Sequence, residues 1–371
     1  MNSQLEALPR RTVLKGAVVL GGVTFLSACG SSPPSSSAGA ITLTDQRDMK
    51  LSLAGPAQRI ITIPFPAAAI MIAVDGGVDH VVGMHEFSWT AARDGILGTF
   101  FPGINDVKHD LASDAFAPNV ESILALEPDL VVQWASSGDE IIKPLDGVGL
   151  NVMGVEYGTI DDVATWLTMF STALGKPERG AEMAARLKTD LGDEKARGLK
   201  RSGPKPSVLY FNRFSEGLKV AGAETLNDDY ITLVGATNAA DEVTGLVDVD
   251  LEQVLSWDPD IILLGNFDGA MPDDVYSDKR WKDVAAVASR RVYKVPLGGY
   301  RWDPPSHESP LMWRWLSQIA YPDGTDGGLK EKVLDDYTFF YGQQPTETQL
   351  SEILWTEVNG ASADYKPFDQ A

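Results

Sequence analysis

The chain is poor in the residues that carry covalent and metal chemistry. It has one cysteine, Cys29, and four histidines in 371 residues. A single thiol excludes a disulfide framework, and the acylation argued below would leave none for a metal or a nucleophile. His80, His85, His109 and His307 are scattered without the spacing of a zinc site. Catalytic signatures are missing too. There is no Gly-x-x-x-x-Gly-Lys-Ser/Thr phosphate loop and no Gly-x-Gly-x-x-Gly after a strand. There is no Gly-x-Ser-x-Gly elbow and no His-Glu-x-x-His. Positive charge is scarce: 31 Lys and Arg face 52 Asp and Glu, for a net charge of −21. Such a surface disfavours nucleic acid and anionic membranes as partners. An anionic ligand would need locally placed cations to overcome the global field. No apolar run reaches the roughly 20 residues that span a bilayer.

What is present begins with a leader. Arg10, Arg11 and Lys15 precede an apolar run over 16–26, which closes on Leu26-Ser27-Ala28-Cys29. A basic start, a short apolar stretch and small residues before a cut describe an export signal. Here the cut falls before the cysteine, as in a bacterial lipoprotein, whose thiol receives a lipid. Pro9-Arg10-Arg11-Thr12-Val13-Leu14-Lys15 resembles a twin-arginine export motif, with Val13 in place of the usual Phe. The reading is a signal peptide over 1–28 and an exported, membrane-anchored protein. A lipidated cysteine and Ser/Pro/Gly tether follow over 29–40, too polar to fold.

The body reads as α/β. Alternation over 41–44 and 49–53 predicts a hairpin around Asp45-Gln46-Arg47-Asp48. Apolar runs at 59–63, 80–84, 130–133, 152–155, 208–211, 261–264 and 291–295 predict buried parallel strands separated by helices. A motif repeats: Asn119-Val120-Glu121 through Pro128-Asp129-Leu130 recurs as Asp250-Leu251-Glu252 through Pro259-Asp260-Ile261, Glu121 and Glu252 being 131 residues apart. The offset is too long for a solenoid, whose period is roughly 20–50 residues. Two related lobes follow, over 41–159 and 201–371. The apolar stripe Val163, Trp166, Leu167, Phe170, Leu174, Met183, Leu187, Leu191 predicts a helical connector over 160–200, interrupted at Gly175-Lys176-Pro177. One more layer helix on the first lobe is the alternative.

Aromatic and charged residues follow several of these strands, in segments around Trp89, Trp134, Arg213 and Tyr300. Ligands bind outside the carboxyl ends of strands in open α/β sheets. Aromatics supply rigid area and arginine a forked donor. Core packing is the competing role for each aromatic.

In the order of its motifs the chain resembles the substrate-binding lipoproteins of ABC importers for iron–siderophore complexes, haem and vitamin B12. The resemblance rests on Arg59-Ile60-Ile61-Thr62-Ile63-Pro64, Val81-Val82-Gly83, the two repeat copies, Leu174-Gly175-Lys176 and Leu233-Val234-Gly235-Ala236-Thr237-Asn238. It continues through Arg280-Trp281 and Arg291-Val292-Tyr293. It implies two doubly wound lobes joined by one long helix, with a ligand cleft between them and no catalysis. It implies that Glu121 and Glu252 dock on permease arginines. One departure stands out: Phe65-Pro66-Ala67-Ala68-Ala69 replaces a polar loop common in the family. The expected ligand is a ferric siderophore, held by Arg213 and Arg301 between Phe65, Trp89, Trp134, Tyr300 and Trp302. His85 and His307 could complete an iron coordination sphere. No resident cofactor is expected, and the protein should be a monomer. A corrinoid or haem is the alternative ligand, and a membrane-tethered hydrolase the enzyme alternative.

Overall fold

A computed structural model describes residues 39–136, 138–322 and 328–365. The leader, the lipidation motif and nearly all of the tether lie outside the described residues. Strands β1 (Ile41–Thr44) and β2 (Lys50–Leu53) form the expected antiparallel hairpin. Its turn is fixed by Asp45, whose buried carboxylate accepts the backbone N–H groups of Arg47, Met49 and Gly154 at 2.9, 3.0 and 2.8 Å. The last of these ties the hairpin to the first sheet.

That sheet holds β3 (Ile60–Thr62), β4 (Val81–Met84), β5 (Leu130–Trp134) and β6 (Val152–Val155), all parallel, in the order β4-β3-β5-β6. Residues of β3, β5 and β6 are buried throughout, as continuous apolar runs require. Its helices are α1 (Ala67–Asp75), α2 (Glu86–Asp94), α3 (Ile96–Phe100), α4 (Val120–Ala125), α5 (Asp139–Asp146) and α6 (Ile160–Ala173). Next comes α7 (Pro177–Lys200).

The second sheet contains β7 (Ser207–Arg213), β8 (Leu218–Ala221), β9 (Thr237–Asn238), β10 (Leu246–Val249), β11 (Ile261–Leu264) and β12 (Val292–Lys294). The order is β10-β8-β7-β11-β12, with β9 beside the start of β7. β8 and β10 run antiparallel and cap one side. Its helices are α8 (Leu226–Leu233), α9 (Leu251–Trp257), α10 (Pro272–Ser277) and α11 (Ala285–Ala288). The chain ends in α12 (Ser309–Ala320), α13 (Leu329–Tyr341), α14 (Glu347–Ile353) and α15 (Thr356–Asn359).

The connector expected over 160–200 is two helices. Gly175 takes φ +69 and Pro177 opens α7, so the chain turns between them. α6 packs on α1 and β1 and belongs to the first lobe, while α7 reaches α8 and α12. Gly180 lets α6 and α7 touch; a Cβ there would strike Ser171 and the Leu167 carbonyl. The C-terminal segment does not stay on the second lobe. α13 lies against α1, and Gln343 donates to the Phe100 carbonyl at 3.2 Å. α15 then returns to edge strand β12, where Asn359 pairs with the Lys294 N–H and C=O at 2.7 and 3.0 Å.

The repeated motif is one device used twice. Asn119 and Asp250 cap α4 and α9 through the N–H groups of Ser122 and Gln253. Ile123 and Val254 are fully buried, and Glu121 and Glu252 are exposed in the first turns. Glu127 and Asp258 both end their helices in left-handed backbone, at φ 46 and 43. The aspartate after each proline grips the start of the neighbouring strand. Asp129 accepts from the N–H of Gln58 and Arg59, at 2.6 and 3.0 Å, and Asp260 from Ser207 at 2.8 Å. Asp129→Ala and Asp260→Ala should each lower stability by about 1–2 kcal/mol. Urea denaturation measures this, and the larger loss is expected for Asp129, which holds two N–H groups.

Candidate functional site

The carboxyl ends of the parallel strands of both sheets meet along one seam. From the first lobe come Phe65 after β3, His85 and Phe87 after β4, Trp134 at the end of β5, and Tyr157 after β6. Their rings form a chain with Phe116. Centroid separations are 4.8 Å for Phe65–Phe116, and 5.7 Å for both Phe116–Trp134 and Trp134–Tyr157. From the second lobe come Asn266 and Phe267 after β11, and the turn carrying Tyr300 and Arg301 after β12. Phe65 faces Phe267 across the seam at 6.5 Å.

Arg301 bridges the lobes. Its Nε donates to the Asn266 carbonyl and its Nη1 to the Phe87 carbonyl, each at 3.1 Å. The guanidinium carbon sits 5.1 Å from the centre of the Phe267 ring. Arg301 is only 8% exposed. Among the described residues no carboxylate lies within ion-pair distance of it. A second buried cation stands nearby. Lys294 donates to the carbonyls of Gly265 and Asp268 at 2.8 and 3.0 Å, and burial lowers its pKa. The buried acid here is Asp303. It is occupied by the Tyr210 hydroxyl at 2.7 Å and by the backbone and side-chain N–H groups of Asn266. Lys294 is also faced by Asp268 and Asp274, so Arg301 is the cation of the seam that has no paired carboxylate among the described residues.

Among the described residues, two buried donors nearby find no acceptor. The Trp134 Nε1–H and the Tyr300 hydroxyl make no hydrogen bond of standard geometry. Burial pushes the Tyr300 phenol up to about 12, with Arg301 opposing, so it stays a donor. Between them stands Tyr157, which donates to the Pro305 carbonyl at 2.7 Å and so also crosses the seam. An unpaired buried donor costs about 1–3 kcal/mol. A bound acceptor would relieve that cost.

Phe65, Trp134, Tyr300 and Arg301 therefore meet as expected. His85 packs on the same ring cluster, 5.0 Å from Phe65, but without a free nitrogen, and Trp89, Arg213, Trp302 and His307 lie elsewhere. Trp89 points away from the seam: its ring stacks on His109 at 3.9 Å and its Nε1 donates to the Ile104 carbonyl. Arg213 is half-exposed and paired with Glu216 at 2.6 Å. His85 is fully buried with both nitrogens engaged. Nδ1 accepts the Phe87 N–H that caps α2, and Nε2 donates to the Ser113 carbonyl. It has no lone pair left for iron. Trp302 turns its Nε1–H to Glu308 at 2.9 Å, behind the turn. There it borders a cavity of about 260 Å³ shared with Pro304, Pro305 and Met312. His307 is buried beside α13, its Nε2 at 2.7 Å from the Tyr341 hydroxyl. Sequence reading missed Tyr157, Lys294, Asn266, Phe267 and Asp303. The signal available was that each follows or ends a strand; none is a conspicuous residue type in a conspicuous cluster.

A family profile described as periplasmic binding protein matches residues 69–297. The chain belongs to the periplasmic binding protein family. A solved periplasmic solute-binding protein from Veillonella parvula is 32% identical, with a TM-score of 0.81, covering 86% of this chain and 98% of that one. The molybdate-binding protein MolA of Haemophilus influenzae is 26% identical over 322 residues, 81% of this chain and 90% of MolA. Its molybdate-bound structure superposes with a TM-score of 0.72 at 22% identity, covering 82% of this chain and 99% of that one, a likeness of fold. The ABC transporter substrate-binding lipoprotein YvrC of Bacillus subtilis is 28% identical over 55% of this chain and 66% of its own length. This binding protein is thus a solute-binding component of an ABC importer and not an enzyme. None of its described helices is long and apolar enough to cross a membrane.

Two neighbouring buried groups give the protein a pH signature. Burial lowers His307 from 6.5 to about 3 and raises Glu308 from 4.5 to about 7. Between pH 6.5 and 3 the unfolded chain protonates His307 and the folded chain does not, so stability falls on acidification. Between pH 7 and 4.5 the folded chain protonates Glu308 and the unfolded chain does not, so stability rises on acidification. Each slope is about 1.4 kcal/mol per pH unit at most. The two offset between pH 6.5 and 4.5. Relative to wild type, His307→Gln should gain stability on going from pH 6.5 to 4.5 and Glu308→Gln should lose it. Urea midpoints at the two pH values read both signs.

Proposed function

We propose that this binding protein captures an anionic, metal-containing solute at the seam and delivers it to an importer permease. Arg301 carries the reading: a buried cation without a carboxylate partner among the described residues, beside two buried donors without an acceptor there, in a chain of net charge −21. A charge-assisted, forked contact to oxygen anions is what a guanidinium does best. A ferric chelate of siderophore type, bearing carboxylate or hydroxamate oxygens, meets this need, and the ring-lined walls suit its organic frame. No resident cofactor takes part. Proteins named for Fe(3+)-citrate and for iron(3+)-hydroxamate binding, both from Bacillus subtilis, are among its relatives, each 27% identical over about half of this chain.

A bare metal oxyanion is the second reading. It is favoured by the approach of Phe65 and Phe267, which leaves little width for a large chelate. A neutral corrinoid would leave Arg301 without a counter-charge, and haem would find His85 with both nitrogens engaged and His307 buried against α13, away from the seam.

Tryptophan-fluorescence titration with ferric citrate, a ferric hydroxamate, molybdate, haemin and cyanocobalamin separates these ligands. For the anion that binds, Arg301→Ala should cost about 2–5 kcal/mol, as for a desolvated charge contact. Arg213→Ala, which breaks only a rim pair, should cost under about 1 kcal/mol. Tight cobalamin binding, with Arg301→Ala neutral toward every anion, would overturn the reading.

Delivery is assigned to Glu121 and Glu252, one exposed carboxylate per lobe at equivalent positions of the repeat. The protein acts outside the cytoplasm, as a monomer held at the membrane by a lipid on Cys29. Replacing both glutamates with Ala should leave solution affinity unchanged and abolish uptake by cells. Mass spectrometry of the membrane fraction should find Cys29 acylated at a new N-terminus. A tenfold loss of affinity in the double variant, or an intact leader, would refute the respective assignment.

A further inference from the structure

The turn that presents Tyr300 and Arg301 is held from behind by one carboxylate. Glu308 is fully buried at the start of α12. Its oxygens accept the Gly299 N–H at 3.1 Å, the Trp302 Nε1–H at 2.9 Å, and the hydroxyls of Tyr341 and Tyr337 at 2.5 and 3.3 Å. The cradle is so close that a Cβ on Gly298 would strike the Tyr337 hydroxyl and Glu308, and one on Gly299 would strike the Tyr341 hydroxyl and Glu308. The same turn is pinned on its other sides. Leu297 donates to the Ile353 carbonyl at 3.0 Å, and the Gly298 carbonyl accepts from Ile96 of the first lobe at 3.1 Å.

We propose that Glu308 is the positioning residue of the cleft. Its carboxylate fixes the turn over 298–302 against α13, so that Tyr300 and Arg301 face the seam without Glu308 touching the solute. The consequence for binding rests on the anion reading above; the hold on the turn does not. The groups facing the carboxylate are Tyr337 and Tyr341 from α13, Trp302 and the Gly299 amide from the turn, and His307, whose Nε2 lies 4.0 Å away. Among the described residues no Lys or Arg pairs with it, and Arg179 of α7 acts on His307 from a distance. Four neutral donors therefore hold the carboxylate, and losing its charge weakens each of those bonds.

The test uses the full chain carrying Glu308→Gln and, separately, Tyr341→Phe, which deletes one donor and keeps the ring. Sodium molybdate and ferric citrate are the probes. Glu308→Gln should bind the accepted probe at least tenfold more weakly, and Tyr341→Phe should weaken it in the same direction by less. Wild-type affinity should decline as pH falls through neutrality, and that dependence should vanish in Glu308→Gln. The Gly299 amide and Trp302 indole NMR signals should titrate together in wild type and be flat in Glu308→Gln. Wild-type affinity and pH profile in either variant would overturn the proposal. If neither probe binds the wild-type protein, the anion reading fails, and the NMR signals alone decide: common titration, lost in the variant, supports the hold on the turn, and its absence overturns it.

Discussion

Arg301 is the interaction on which the two lobes converge. Its guanidinium donates to one carbonyl from each lobe, Phe87 and Asn266, and covers the ring of Phe267. Removing such an ion from water costs several kcal/mol, and carbonyl dipoles return only part of that. Lys294 is offset by Asp268 and Asp274 nearby, and Asp303 is already saturated by Tyr210 and Asn266. At Arg301 the seam therefore lacks a paired carboxylate, and at Trp134 and Tyr300 hydrogen-bond acceptors, among the described residues. A solute that supplies both stabilises the joined lobes by its own binding free energy.

The chain limits how far those lobes can separate. One helix, α7, joins them, and the C-terminal segment crosses twice more, from β12 to α1 by way of α13 and back to β12 through α15. Arg179 at the start of α7 also reaches the Phe339 carbonyl of α13. Three crossings with separate anchors restrict hinge motion more than one would. A restricted hinge keeps Tyr157, Trp134 and Arg301 close to their binding arrangement, so less ordering cost is met when the solute arrives. The family profile ends at 297, and the turn that supplies Tyr300 and Arg301 starts directly after it. Tyr300 and Arg301 are thus supplied by the segment that also straps the lobes.

Much of this architecture was legible in the sequence because burial writes itself into strands. All seven apolar runs became parallel strands, and the repeated Pro-Asp motif marked the same joint in each lobe. The strands β8, β9 and β10 escaped notice, being short and partly exposed. The break in the connector was visible at Gly175-Lys176-Pro177, but its consequence was not: whether a helix resumes in line or folds back depends on contacts such as Gly180 against Ser171. For the site, following a strand was enough to find Phe65, Trp134, Tyr300 and Arg301. It was not enough to reject Trp89 or Trp302, because which side of a turn an indole takes depends on its N–H partner. Ile104 and Glu308 are those partners, 15 and 6 residues away. The histidines misled for a related reason: sequence does not show that His85 is engaged by the Ser113 carbonyl and the Phe87 N–H, or that His307 is turned to Tyr341 behind the seam.

The repeat links the seam to the outer surface. In each lobe the aspartate after the proline locks the helix-to-strand corner onto the neighbouring strand, at Gln58 and Arg59 in one and Ser207 in the other. Glu121 and Glu252 stand on those locked helices, so neither moves independently of its sheet. Their separation is then set by how the two sheets meet, and the sheets meet through Arg301, Tyr157 and the turn held by Glu308. A solute that closes the seam and a partner that reads the spacing of two exposed carboxylates therefore act on the same coordinate. Each must favour the geometry that the other favours, since any differential affinity between joined and parted lobes is shared by both.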